Sequence, residues 1–178
     1  MQVACLLLMR PWMWVRCSTL TAVASMTEVR TWYVDSSVLL RAMVDQSPAA
    51  RSWFEGRVEA DDRFVASRLM EVEVRRVTRN IGVDQDVVGE YVDEFLLMSV
   101  NDELLAEAIA LDEKLGGADA IHVASVMRLG PAVLTLVTHD RQMATAATNL
   151  GFEVLDPVTD DPGRPPVDQP APIARTPR

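Results

Sequence analysis

Short apolar runs rich in β-branched and aromatic residues alternate with helical patterns through the middle of this chain, and that alternation constrains the fold most. Residues 31–35 (TWYVD) read as a buried strand, 63–66 (RFVA) as a second, 132–137 (AVLTLV) as a third and 152–155 (FEVL) as a last one. Between them, Ser36 or Ser37 can cap a helix running through 38–44, and Pro48 stands in the first turn of a helix over 48–57. Ser67 opens a helix to about residue 81, where Gly82 provides a stop. Residues 86–98 and 102–115 read as two more helices; Gly116-Gly117 then breaks the chain before an apolar helix over 119–129. A helix over 141–150 precedes the last strand. Strands joined through helices need right-handed crossovers. The pattern therefore predicts a central, mostly parallel sheet with helices on both faces, a three-layer α/β/α fold.

At 178 residues the chain has room for one domain, expected over 27–157. Residues 157–178 carry seven of the ten prolines. That composition cannot build a core and predicts an extended tail over 158–178. At the other end, residues 3–9 form an apolar run of seven, short of the about 20 needed to span a bilayer. Ala22-Val23-Ala24 resembles a signal-peptide cleavage site, but no basic side chain precedes Leu6, and Arg10, Pro11 and Arg16 interrupt the apolar stretch. An upstream extension over 1–26, with Met26 as the natural start, is the reading preferred to a signal peptide.

The 17 basic and 26 acidic residues give a net charge of −9, which excludes a generically basic nucleic-acid coat. It leaves room for an enzyme that collects divalent metal with carboxylates. The two cysteines, Cys5 and Cys17, lie outside the expected domain, so a disulfide framework and a cysteine zinc site are both excluded there. This is the composition of a reduced, cytoplasmic protein. Lys114 is the one lysine beside sixteen arginines, so any mechanism needing a lysine has a single candidate.

Four acids stand where function explains them as well as structure does. Asp35 ends the first strand and Asp140 follows the third by three residues. In an open parallel sheet, ligands bind at the carboxyl ends of the strands. Either Asp could equally cap the helix after it. On a helix counted from Leu69 at about 100° per residue, Glu73 falls at about 40°, between Leu69 and Val77 at about 80°, with Met70 and Ile81 just beyond. That puts a carboxylate in the middle of an apolar face, where a cation would keep it ionised. Asp119 opens a helix that is apolar nearly all round, where the helix dipole favours its charge. His122 and His139 read as packing or surface residues. Arg75, Arg76 and Arg79 read most simply as a solvated face, or as a strip that contacts phosphate.

In order along the chain, YVDSSVLL, SRLMEVEVRR, GADAIHVAS and VTHD with a downstream GFEVLDP resemble the motifs of the PIN-domain ribonucleases, in particular VapC-like toxins of type II toxin–antitoxin pairs. The likeness covers about residues 31–157. It implies a PIN-like α/β/α fold and metal-dependent endonucleolytic cleavage of RNA, leaving 5′-phosphate and 3′-hydroxyl ends. It maps the catalytic and metal-holding acids onto Asp35, Glu73, Asp119 and Asp140, with Asp35 and Asp119 as primary ligands. Ser36 and Thr138 match small hydroxyl positions that steady the acids. Mg2+, or Mn2+ in its place, is the implied cofactor. The implied partners are RNA, a cognate antitoxin and a second copy in a homodimer, with no membrane. With an acidic chain, Arg41, Arg75, Arg76 and Arg79 would have to supply the phosphate contacts. Gly116-Gly117-Ala118 departs from the Arg–small–Leu stretch common in the family before Asp119.

Three other readings compete. A haloacid-dehalogenase-like phosphatase would want Asp-x-Asp where Asp35 is followed by Ser36-Ser37, and both it and a receiver domain want a lysine late in the fold. A PIN-like module without catalysis could lose its acids, yet all four are present. A PIN nuclease of RNA maturation would carry the same residues as a toxin.

Overall fold

The computed structural model describes residues 29–44 and 47–158. The expected extension over 1–26 and the tail beyond Val158 lie outside the described residues.

The chain enters at the centre of a five-stranded sheet with β1 (Thr31–Val34). α1 (Ser36–Met43) and α2 (Pro48–Glu59) lead to β2 (Arg63–Ser67), and α3 (Arg68–Asn80) and α4 (Gln85–Val92) lead to β3 (Phe95–Met98). α5 (Asp102–Ile109) and α6 (Gly117–Leu129) carry the chain back across to β4 (Thr135–Val137), and α7 (Arg141–Asn149) connects it to β5 (Glu153–Leu155). The strand order is β3-β2-β1-β4-β5 and every pair is parallel. Strands are thus added first on one side of β1 and then on the other. The reversal between β1 and β4 opens a crevice at their carboxyl ends.

Side-chain alternation sorts the residues into two cores. Trp32 and Val34 join Phe64 and Ala66 on one face, against Leu39 of α1, Phe54 of α2, Met70 of α3 and Val88 of α4. Tyr33, Val65 and Leu136 point to the opposite face, against Val123 and Val126 of α6 and Met143 of α7. α5 packs on α6 through Leu104, Ala108 and Ala124. The three-layer α/β/α expectation therefore holds, with a sheet that is parallel throughout. Val158 packs into the first core, so the fold reaches one residue into the expected tail.

Several local expectations are corrected. Residues 86–98 are not one helix: α4 ends at Val92, and Phe95–Met98 is an edge strand in register with Phe64–Ser67. Its four apolar residues continue the helical spacing of Val88 and Val92, so periodicity alone could not separate the two. The helix expected over 102–115 stops at Ile109; continuing it would set Asp112 and Glu113 at the negative end of the helix dipole. The third strand is only Thr135–Val137, because Gly130, at φ 84°, and Pro131 hold the preceding residues in a turn. Among the described residues, no helix is long and apolar enough to cross a membrane.

Phe54 anchors the first core. It is 3% exposed, and its ring lies 4.9 Å from Phe64, 5.8 Å from Tyr91 and 6.0 Å from Phe95 between centroids. Phe54→Ala should cost about 3–5 kcal/mol in chemical denaturation. A loss below about 1 kcal/mol would contradict this packing.

Candidate metal centre

The crevice between β1 and β4 is lined by acids from four elements. Asp35 follows β1 directly, and its backbone N–H donates to the Val137 carbonyl at 2.9 Å, extending the β1–β4 ladder by one bond. The residue is 4% exposed. Its Oδ2 accepts from Ser37 Oγ at 2.6 Å and from Thr138 Oγ1 at 3.1 Å. Its Oδ1 has only long contacts, 3.5 Å to Ser36 Oγ and 3.7 Å to His122 Nε2. One oxygen is therefore fixed by hydroxyls while the other stays available at the crevice. Asp35, not Ser36 or Ser37, is the N-cap of α1.

Glu73 comes from α3, but not from the middle of a buried face as the helical count implied. The buried residues of α3 are Met70, Val74 and Thr78, while Val77 and Ile81 are 42% and 57% exposed. The inward direction is thus rotated by about 100° from Glu73, which stands half-buried on the flank. Glu73 Oε2 lies 3.1 Å from His122 Nε2. Burial pushes the Glu73 carboxyl up, but the hydrogen bonds from His122 and Ser36 outweigh it and hold the group below its ordinary range.

His122 corrects a second expectation. It is 1% exposed, lies in α6 one turn after Asp119, and faces the acids rather than the surface. Its Nδ1 is 3.0 Å from the Tyr33 hydroxyl, which itself accepts the Ser67 backbone N–H at 3.2 Å. With the hydroxyl donating to Nδ1, the imidazole proton sits on Nε2 and is donated to Glu73. Burial pushes the Tyr33 hydroxyl up to about 12, which keeps it a donor. Ser67 Oγ lies 3.5 Å from His122 Nδ1 and makes no side-chain cap to α3. A polar side chain in a helix that is apolar all round was the available signal for His122, since a buried imidazole needs partners. His139 is likewise not a free surface residue: its Nδ1 meets Asp156 Oδ1, and burial pushes its imidazole below the ordinary value despite that carboxylate.

Asp119 lies three residues into α6 from its N-cap Gly116. Burial, then the charges of Asp140 and Asp35, push its carboxyl up, with the Gly116 backbone N–H pulling the other way. A Cβ at Gly116 would stand 3.0 Å from Asp119 Oδ2, so the glycine leaves the room this carboxylate occupies. Asp140 caps α7, its Oδ1 accepting from Gln142 N at 2.7 Å and Met143 N at 2.8 Å. Thr138 Oγ1 ties the two strand-end acids together, donating to Asp35 and accepting the Asp140 backbone N–H at 3.0 Å.

Asp35, Glu73 and His122 place ligand atoms within 4.8 Å of one another. Asp119 and Asp140 fall outside that tight group but close enough for Asp140 and Asp35 to repel Asp119. The four arginines named from the sequence stand in different surroundings. Arg75 is bound to Glu71 at 2.9 Å, Arg76 and Arg79 are exposed on α3, and Arg41 is partly buried in α1, near enough to His139 to act on its charge.

A parallel sheet whose order of strand addition reverses beside a cluster of carboxylates defines a metal-competent acidic crevice at an α/β switch point. Residues 32–149 match the PIN domain, and the chain belongs to the PIN-domain family. It is 33% identical over 129 residues to Ribonuclease VapC46 of Mycobacterium tuberculosis, across 70% of this chain and 96% of that relative. Its fold is similar to that of a toxin–antitoxin complex from Klebsiella pneumoniae, with a TM-score of 0.55 and 19% identity over 70% of this chain and 96% of that one. It is also similar to VapBC2 from Rickettsia felis bound to a promoter DNA fragment, with a TM-score of 0.55 and 12% identity over 71% and 99% of the two chains. At these identities the structural likeness is one of fold.

Thr138→Val keeps the volume but removes the hydroxyl between Asp35 and Asp140. Leaving these groups unpaired should cost about 1–3 kcal/mol in urea unfolding, with Thr138→Ser recovering most of the loss. Equal stability of Thr138→Val and the parent would argue against this bridge.

Proposed function

We propose that this chain is a cytoplasmic, divalent-metal-dependent endoribonuclease that acts as the toxin of a toxin–antitoxin pair, with tRNA or rRNA as candidate targets. The observation that carries the reading is Asp35 and Glu73 at ligand distance in the switch-point crevice, beside an Asp119 whose charge Asp140 and Asp35 oppose. Such a site is relieved by a cation. The donors also fit Mg2+, with Mn2+ as a substitute: they are hard carboxylate oxygens, and no described cysteine is near them. The similarity to a relative named as a ribonuclease supports the chemistry, and the toxin–antitoxin complexes among its fold neighbours support a protein antagonist.

Asp35 and Asp119 would be the primary ligands, with Glu73 and Asp140 completing the set or orienting water. When bound, the ion supplies Lewis acidity toward the phosphodiester and acidifies a water. Ser36, Ser37 and Thr138 keep Asp35 in one orientation, so its Oδ1 does not turn away from the crevice. His122 donates its Nε2 proton to Glu73 and therefore holds that carboxylate in place as a donor, not as a ligand. In the hydrolysis, the water oxygen bonds to phosphorus as the P–O3′ bond breaks. The leaving oxygen takes a proton to give the 3′-hydroxyl, and the phosphate stays on the 5′ end.

A protein antagonist and a second copy both need apolar surface. α3 leaves Val72, Val77 and Ile81 exposed, the last two on the flank that carries Glu73. A cognate antitoxin and a homodimer belong to the same reading.

Purified protein given RNA and Mg2+ should leave internal cuts with 5′-phosphate ends on sequencing, and EDTA should abolish them. Asp35→Asn should lower cleavage by more than the about 10–100-fold typical of losing an outer partner of a metal ligand. Asp119→Asn should likewise abolish cleavage, yet melt higher than the parent without metal, because it removes the charge that burial and its neighbours disfavour. Mg2+ or Mn2+ should raise the melting temperature of the parent and not of Asp35→Asn. Full cleavage by Asp119→Asn would overturn the site, and no metal-dependent shift in the parent would favour a non-catalytic module.

A further inference from the structure

Along α7, away from Asp140, runs an open groove of about 430 Å3. One wall is the exposed face of α7 with Arg141, Gln142, Thr145 and Asn149; the other is the segment entering α6, with Glu113 and Lys114. Both walls adjoin crevice acids in sequence. Arg141 follows the α7 cap Asp140, and Lys114 precedes by two residues the Gly116 that abuts the Asp119 carboxylate. Lys114 is the single lysine of the chain. Neither it nor Arg141 has a side-chain bond to any described residue, whereas Arg75 and Arg128 are tied to Glu71 and Glu107. Apart from Glu113, the polar lining offers hydrogen-bond donors from an ammonium, a guanidinium and two amides, while Thr145 donates its hydroxyl to the Arg141 carbonyl at 2.7 Å. No aromatic side chain among the described residues lines the groove. From Arg141 to Asn149 the helix advances about 12 Å, the rise of three to four stacked nucleotides at about 3.4 Å each.

We propose that this groove is a subsite for the sugar–phosphate backbone of single-stranded RNA on one side of the scissile bond, with Lys114 and Arg141 as its phosphate contacts. The proposal rests on the nuclease reading of the acidic crevice. It answers a problem that reading leaves open, namely how a chain of net charge −9 holds a polyanion against a cluster of acids. Lys114 and Arg141, one from each wall, put positive charge against the strand where it leaves the crevice. Without aromatic stacking platforms, the groove binds backbone and tolerates any base, so this flank carries little of the cleavage specificity.

The test uses full-length protein carrying Asp35→Asn, so that RNA survives, and a fluorescein-labelled single-stranded RNA 12-mer of mixed sequence, with a 12-base-pair RNA duplex for comparison. Lys114→Ala with Arg141→Ala should weaken single-strand binding about tenfold or more, and should flatten the slope of log affinity against log salt by about 1.4, or 0.7 for each phosphate lost. Arg63→Ala, at the amino end of β2 and so away from the crevice, removes a positive charge without this effect. In the parent background, the Lys114→Ala/Arg141→Ala pair should raise KM for the 12-mer more than it lowers kcat, and should keep the Mg2+-induced melting shift. Unchanged binding and salt slope, with cleavage by the parent intact, would overturn the groove and leave the nuclease standing. So would a loss confined to the duplex. If the parent cuts no RNA and the Asp35→Asn protein binds none, the nuclease reading falls and this proposal falls with it.

Discussion

The pairing of β1 with β4 is the contact on which the rest of the molecule turns. It joins segments about one hundred residues apart in the register Val34 to Val137, and the bond from Asp35 to Val137 continues it past the strand ends. One step further, Thr138 reaches Asp35, and the His139 N–H meets Ser37 Oγ at 3.4 Å. The two helix-starting turns that follow β1 and β4 are therefore zipped together at the point where the order of strand addition reverses. α3 approaches from one layer and α6 from the other, so the Glu73–His122 bond bridges the helical layers across the end of the sheet. The centre is a meeting of all three layers, which is why its acids come from such separated parts of the chain.

Capping and chemistry are the same property at Asp35 and Asp140. A parallel strand that feeds a helix needs an extended residue with an acceptor at the turn, because the first helical N–H groups have no partners in the helix. An aspartate satisfies that need and also sets a carboxylate at the carboxyl edge of the sheet. Asp140 uses Oδ1 for the cap, and Asp35 uses Oδ2 for its hydroxyl partners. Each is anchored through one oxygen. The alternatives of cap or functional acid are therefore not exclusive, and the stability gained by capping offsets part of the repulsion that gathering the carboxylates creates.

The strand–helix alternation, both capping aspartates and Glu73 were legible because each depends on local pattern: a β-branched run, a turn residue, an acid among apolar neighbours. The direction of α3 was not. Its apolar residues occupy a face wider than the one it buries, and what decides between Met70–Val74–Thr78 and Leu69–Val77–Ile81 is the packing of α1 and α4, which no local count contains. β3 was hidden for the same reason, since four apolar residues become a strand only when Phe64–Ser67 offers an open edge. His122 needed still more: its role exists only once Tyr33 of β1, Ser67 of β2 and Glu73 of α3 are assembled around it.

The misread face of α3 has its own consequence. Val77 and Ile81 remain exposed one and two turns beyond Glu73, so the surface that runs on from Glu73 along this helix is apolar. The groove along α7 and the segment before α6 carries Lys114 and Arg141, which have no side-chain partner among the described residues. Under the proposed reading these two surfaces suit different molecules. An apolar surface gains from burial against a protein and little from a polyanion, whereas the cationic groove attracts a phosphate chain and loses strength with salt. A protein that covers α3 would reach Glu73 before it reached the groove on α7. It would block catalysis through the side chain that His122 holds in place, without displacing every phosphate contact. Inhibition and substrate binding would then meet only at Asp35 and Glu73, so weakening the cationic groove would lower RNA affinity and leave the grip of such an antagonist intact.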